Sequence, residues 1–250
     1  MAGSIATGSA EVAPKRKRRD GPRTPSHGRG VIRYAALLDA TEDLLMSLDP
    51  DAIGLYQIAE RAGVPPASAY HFFPTKEAAY VGLARRYLEG LLEMHREPIE
   101  ARLLKGWQDL MMIDMRRGME FYNARPPMSK ILYGGYGGVE AREIDGLAVV
   151  RMSNAHYRRL EKLFHMPFIR NPERISENRM GILDALWTLS FRRHGSITEE
   201  YLLEAHRACV AYTRFYLPEH LEPREYLLDA IASGGTVQLP FDEGLGGLGN

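Results

Sequence analysis

The 250-residue sequence holds a single cysteine, Cys209. An intramolecular disulfide and a thiolate zinc site are therefore excluded, and a reducing compartment is the simple inference. Set between Ala208 and Val210, that thiol reads as a small core residue. Long apolar runs are also missing. No stretch reaches 18 consecutive apolar residues, and residues 1–12 lack the apolar run of a signal peptide. The expectation is a cytoplasmic chain with no membrane-spanning helix and no membrane partner. Enzyme signatures are equally scarce. The eight histidines form no HExxH, and neither GxSxG nor a GxGxxG after a strand occurs. The run Gly134-Gly135-Tyr136-Gly137-Gly138 is not followed by Gly-Lys-Ser/Thr and follows no strand, so it is expected to be a flexible loop at a pocket entrance rather than a phosphate loop. Acidic residues mostly stand beside basic ones, as on solvated helix faces. No enzymatic activity, cofactor or metal is expected. No strand pattern and no internal repeat stand out.

Hydrophobic residues make up 45% and charged residues 26% of the chain, ordinary proportions for a globular protein with a full core. Formal net charge is zero, which alone argues against a nucleic-acid binder. Its distribution argues the other way. Within residues 1–33, eight Lys and Arg stand against Glu11 and Asp20, a net of +6, which leaves −6 for the remainder. A basic end on an acidic body suits a DNA-facing terminus. Residues 1–28, rich in Gly, Ser, Ala and Pro, cannot bury enough surface to fold alone, so a disordered basic arm is expected. The run Lys15-Arg16-Lys17-Arg18-Arg19 leaves three readings open: a solvated tail, an arm tracking phosphates or the minor groove, and a nuclear signal.

Every strong periodicity is helical, so the chain is read as all-α. Residues 31–47 place Ile32, Ala35, Ala36, Leu38, Leu44 and Leu45 at helical spacing. A long helix follows over 75–96, opened by Thr75 as N-cap with Glu77 in its first turn. Residues 98–123 read as another, with Leu103, Trp107, Leu110, Met111, Met115, Met119 and Tyr122 along one face. Its methionines are either plain core or one adaptable wall of a small-molecule pocket. A short helix is expected over 128–133, and a longer one over 140–164. His156 lies near the apolar face of the latter, either as a hydrogen-bonded core residue or as a ligand contact. Two further helices, over 172–193 and 198–217, carry apolar residues on both sides. The second has Thr198 as N-cap and Glu199 and Glu200 in its first turn. A short helix is expected over 223–232, and the glycine-rich end, 233–250, is expected to be a flexible tail.

The stretch from residue 54 to 76, GLYQIAERAGVPPASAYHFFPTK, organises the rest. Leu55, Ile58 and Ala59 share one face of a short helix. Ala62-Gly63-Val64 is a turn in which Gly63 supplies a positive φ. Pro65-Pro66 opens a second short helix, small residues line its start, and Pro74 ends it. Two short helices about a glycine turn form a helix-turn-helix, whose second helix enters the major groove. In Ile58-Ala59, Ala62-Gly63-Val64, Ala67-Ser68, Tyr70, Phe73 and Lys76 the stretch resembles the N-terminal domain of the TetR family of transcriptional repressors. The likeness covers residues 30–85. Gly54, Pro65, Ala67 and Phe72 depart from the family's usual Thr or Ser, Ser, Gly and His.

The resemblance implies a helix-turn-helix DNA-binding domain over 29–76, preceded by the 1–28 arm, and a helical ligand-binding and dimerisation domain over 77–232. It also implies that the two helices near the C-terminus form a dimer bundle. Candidate DNA contacts are Arg33, Gln57, Pro66, Ala67, Ser68, Tyr70, His71, Phe72 and Lys76. On the second helix, Ala67 or its neighbour Ala69 would meet a thymine methyl and Ser68 or His71 would hydrogen-bond, while Tyr70 and Lys76 would hold phosphates. Candidate ligand contacts are Trp107, Met111, Met115, Met119, Tyr122, Tyr133, Tyr136 and His156, which suit an apolar or aromatic effector. The expected protein is a homodimer on a palindromic double-stranded DNA operator, released by that effector. The competing expectation is a helical small-molecule binding or interaction protein that keeps the helix-turn-helix as scaffold.

Overall fold

A computed structural model describes residues 21–239. Among these residues the chain forms ten helices and one two-stranded sheet. Helices α1 (Gly28–Ser47), α2 (Leu55–Arg61) and α3 (Pro66–Phe72) make a small head. Helix α4 (Lys76–Met94) leads into a body of α5 (Trp107–Asn123), α6 (Pro126–Leu132), α7 (Gly138–Leu163), α8 (Pro172–His194), α9 (Glu199–Thr213) and α10 (Glu225–Ala232). The run Lys15–Arg19 lies outside the described residues.

The head has one apolar centre. Leu37, Leu45, Ile58, Ala59 and Phe73 are fully buried in it. Tyr34 packs on Phe73 with ring centroids 4.9 Å apart and meets Phe72 edge-on at 5.9 Å. Helix α4 passes close beside α1, because a Cβ at Gly82 would stand 2.8 Å from the Tyr34 hydroxyl oxygen. The two helices are also tied by Arg86, which pairs with Asp39 and Glu42, and by the Tyr87 hydroxyl, which donates to Glu42 at 2.7 Å. Thr75 caps α4 as its sequence position predicts, accepting from the Ala78 N–H at 3.2 Å. Thr198 does the same for α9, accepting from Tyr201 N–H.

Head and body meet through a cap. The last carbonyls of α1 have no partner within that helix. Lys130, on α6, donates its ammonium to the carbonyls of Leu45 at 2.5 Å and Leu48 at 3.3 Å. A cation there also suits the negative end of the helix dipole.

Four expectations are corrected. Helix α5 starts at Trp107 rather than 98, because Gly106 breaks the run and Asp109 reaches back to accept from the N–H groups of Lys105 and Gly106, both at 2.9 Å. Leu103, placed on the buried face by periodicity, is 49% exposed in the 3-10 turn that precedes α5. Residues Ile99–Glu100 instead form strand β1, which pairs antiparallel with Thr236–Val237, strand β2. The tail expected to be loose from 233 onward is therefore held as far as Leu239, with Val237 fully buried and Leu239 nearly so. Residues 240–250 lie outside the described part. Ile32, expected inside, points outward at 71% exposure, because α1 covers the core only with its Leu37, Leu38 and Leu45 side.

Candidate nucleic-acid interface and buried chamber

The turn between α2 and α3 is built as the sequence predicts. Gly63 takes φ +63°, and Val64 returns its N–H to the Ala59 carbonyl at 3.0 Å. This fixes α3 against α2 with Pro66, Ala67, Tyr70 and His71 facing solvent and Ser68 at the edge. Tyr70 is 54% exposed, a large aromatic with its hydroxyl free to reach a partner. Arg33 is exposed on α1. The chain just before α1 lies against the same end, since the Arg23 N–H donates to the Phe72 carbonyl at 2.8 Å and so caps α3. Arg23 thus lies beside the second helix of the motif.

Four candidate contacts on this head have other work. Phe72 is 7% exposed and packs under Tyr34. Ala69 is fully buried, so a thymine methyl would have to be met by Ala67 alone. Lys76 donates to the carbonyls of Pro50 at 3.1 Å and Asp51 at 3.2 Å, closing the 3-10 turn between α1 and α2. Gln57 accepts from the Gly54 N–H at 2.7 Å through its side-chain oxygen. Glycine cannot cap a helix with a side chain, so the first turn of α2 uses Gln57 to satisfy an orphan N–H.

A second feature lies in the body. A cavity of about 60 Å³ is enclosed by α4, α5, α7 and α8, with Tyr133 at its α6 end. Its floor is soft and apolar: Met111, Met115, Met152, Met180, Leu183 and Trp187. Tyr122 stacks on Tyr133 at 5.4 Å and meets Trp187 edge-on at 5.6 Å. A Cβ at Gly118 would fall 2.9 Å from the Trp187 ring, so this glycine is what admits the indole.

One wall is charged. Arg159 Nη1 donates to both oxygens of Asp114 at 2.7 Å, and His156 Nδ1 donates to Oδ2 of the same carboxylate at 3.0 Å. Burial pushes the Asp114 carboxyl up, but Arg159's charge and the His156 hydrogen bond outweigh it and hold it well below the usual carboxylate range. His156 is pushed down to about 4, first by burial and then by the charge of Arg179. It is therefore a neutral imidazole whose Nδ1 proton is fixed by Asp114, leaving Nε2 as an acceptor. Within the described residues Nε2 has no partner, and neither have Arg159 Nε and Nη2 nor Trp187 Nε1. Arg179 is 5% exposed and lines the same cavity. No group of three or more His, Cys, Asp or Glu among the described residues is arranged to hold a metal ion.

The sequence profile described as "Bacterial regulatory proteins, tetR family" matches residues 37–80, the span from mid-α1 into α4. A TetR-family transcriptional regulator from Streptomyces coelicolor shares the fold over 76% of this chain and 99% of its own, with a TM-score of 0.58 and 25% identity. Over that head segment the chain matches the TetR family of regulators, and its fold is TetR-like. A TetR transcriptional regulator from Rhodococcus sp. RHA1 matches in fold over 72% of this chain and 95% of its own, at TM-score 0.53 and 17% identity. Regulatory protein TetR from Rhodobacter sphaeroides matches over 72% and 98%, at 0.51 and 14%. No curated protein matches by sequence. The chain is thus an all-α, DNA-binding transcriptional regulator. Regulators of this family bind DNA and small-molecule effectors and work as dimers. No helix of the described residues is long and apolar enough to cross a membrane.

In this chain the predicted ligand contacts divide. Met111, Met115, Tyr122, Tyr133 and His156 line the cavity. Trp107, Met119 and Tyr136 do not. Trp107 is fully buried elsewhere, its Nε1 donating to the Pro218 carbonyl at 3.0 Å. The predicted set contains none of Asp114, Arg159, Arg179 and Trp187. A signal for Arg179 exists: Ile175, Arg179, Leu183 and Trp187 recur every four residues. A charged residue inside such an apolar stripe must be buried with it.

Proposed function

We propose that this regulator is a homodimeric repressor, bound to a palindromic operator and released by a small effector that enters the Met-lined chamber. The observation that carries the reading is α6. Tyr133, the residue just past its C-terminus, borders the chamber, while its Lys130 caps α1 of the reading head. A ligand that moves Tyr133 must either move Lys130 or break the cap. Ligand binding and head position are thereby linked through one short helix, and the shift is limited by the ligand's differential affinity for the two arrangements.

On DNA, α3 would lie in the major groove with its first turn toward base edges. Ala67 suits a thymine methyl, Ser68 and His71 suit polar edges, and Tyr70 suits a phosphate. Pro66 and Ala67 let the backbone come close, and Arg33 adds charge from α1. Lys76, Gln57 and Phe72 shape the head rather than touch DNA. With no Arg, Asn or Gln on α3, much of the selectivity rests on DNA shape and on half-site spacing. Two heads must meet half-sites about 34 Å apart. The dimer face we assign is the apolar stripe of α8 and α9, where Gly181, Ala185, Leu189, Leu203 and Ala211 are exposed.

The test is fluorescence anisotropy of the ligand-free protein on its own upstream promoter DNA, against random duplex at equal salt. Preference for the promoter, with sedimentation at dimer mass, supports the reading. Equal affinity for both duplexes would sink it and favour a ligand-binding protein that keeps the motif as scaffold.

A further inference from the structure

Arg179 is the residue the fold and the reading head leave unexplained. It sits mid-helix on α8, nineteen-twentieths buried by its 5% exposure. Its guanidinium makes no hydrogen bond or ion pair within the described residues, whereas Arg159, equally deep, has Asp114 at 2.7 Å. Only its backbone carbonyl is engaged, accepting from the Cys209 thiol. Burial lowers its affinity for the proton, and only Cys209 and Asp114 act against that. An isolated buried cation is costly.

The position of Arg179 tells what it faces. It borders the main chamber and also a second cavity of about 30 Å³, and Met111 and His156 are the other residues common to both. Arg179 thus stands at the junction of the two cavities. Around it, unpaired donors predominate: Arg159 Nε and Nη2 and Trp187 Nε1, against His156 Nε2 as acceptor. The charges agree. Asp114 and Arg159 neutralise each other, which leaves Arg179 in excess. Asp184 also lines the chamber, but burial alone accounts for its raised carboxyl and no arginine lowers it. It therefore does not serve Arg179.

We infer that the chamber takes an organic anion, an amphiphile whose carboxylate pairs with Arg179 and whose apolar or aromatic body lies against Met111, Met152 and Trp187. A carboxylate accepts two parallel N–H bonds from a guanidinium, so it supplies the acceptors that this wall lacks. A purely apolar effector would leave the guanidinium and the Arg159 edge unpaired. The inference rests on the effector reading above, but it concerns the ligand alone.

The experiment is calorimetric titration of the full-length, DNA-free protein with 4-phenylbutyrate, 4-phenylbutanol and 4-phenylbutylamine at neutral pH. The acid should bind about tenfold or more tighter than the alcohol, and the amine weakest, as expected for a charge-assisted pair. Arg179→Met should bring the acid down to the alcohol's affinity, with Arg179→Lys between. The same Arg179→Met variant, ligand-free, should melt higher than wild type, since it removes a buried charge without a partner while keeping an apolar stem. Acid and alcohol binding alike, no binding of the acid at millimolar concentration, or a lowered Tm for Arg179→Met would overturn the inference. Because no DNA is present, each of these outcomes leaves promoter recognition standing. Loss of promoter recognition would leave the anion preference standing in turn.

Discussion

The head and the chamber treat polar groups in opposite ways. In the head, orphan groups find partners from nearby: Gln57 serves Gly54, Lys76 serves Pro50 and Asp51, and Arg23 serves Phe72. In the chamber, deeply buried donors on Arg159 and Trp187 are left waiting, beside Arg179 in the same wall. Unpaired polar groups are expensive inside a protein. A region that keeps them is organised for something it does not itself contain, while a region that satisfies them is organised for one shape.

That contrast breaks most readily at its cores. Phe73→Ala should cost about 3–5 kcal/mol in denaturant unfolding, the usual toll of emptying a tightly packed aromatic site. A loss below about 1 kcal/mol would mean that the head is looser than its packing implies. Arg159→Met should cost a similar 3–5 kcal/mol, because it strands the Asp114 carboxylate without its cation. Set beside a stabilising Arg179→Met, it would separate the arginine that holds the fold from the one that does not.

Acid should expose the chamber before the head. The His156 imidazole titrates near 4 when folded, against 6.5 for an unperturbed histidine. The unfolded chain therefore takes up this proton first. Stability present above pH 6.5 is lost as pH falls from 6.5 toward 4, by at most about 3 kcal/mol. His95, also lowered by burial, works in the same direction, whereas Asp184, raised by burial, works in the opposite one. The readout is hence the difference between wild type and His156→Asn, which keeps a donor toward Asp114 but takes no proton. Parallel pH profiles for the two would refute this account.

Smaller effects sharpen the link between regions. Lys130→Met should lower stability by about 1 kcal/mol, the scale of a lost helix cap, and should reduce the coupling between ligand and DNA. Tyr70→Phe should leave stability within about 0.5 kcal/mol. It should weaken binding to promoter and random duplex alike, as loss of a phosphate contact does. A selective loss on the promoter would instead make Tyr70 a base reader.

The head was largely legible because its signals are local. Gly63 at a positive φ, Pro66 opening α3 and Thr75 capping α4 each act within a few residues of themselves. The helix count of the body followed from periodicity for the same reason. What escaped depends on distance along the chain. Lys76 could not be assigned to Pro50 without knowing that the two meet. Nor could periodicity tell Trp107, held by Pro218, from Met111, which borders the chamber. The departures of Gly54 and Phe72 from the family pattern proved to be packing matters: one is compensated by Gln57, the other is buried under Tyr34. Arg179 alone could have been found, as the single charge in a four-residue apolar rhythm.

The short β1–β2 ribbon bears on how the protein is handled. A designer trusting the glycines would trim the gene at codon 233. That cut would delete Val237 and Leu239, both interior, and strip Ile99 of its antiparallel mate, unsettling the floor on which α5 begins. Fusions and affinity tags belong after Leu239, where they leave that clasp intact.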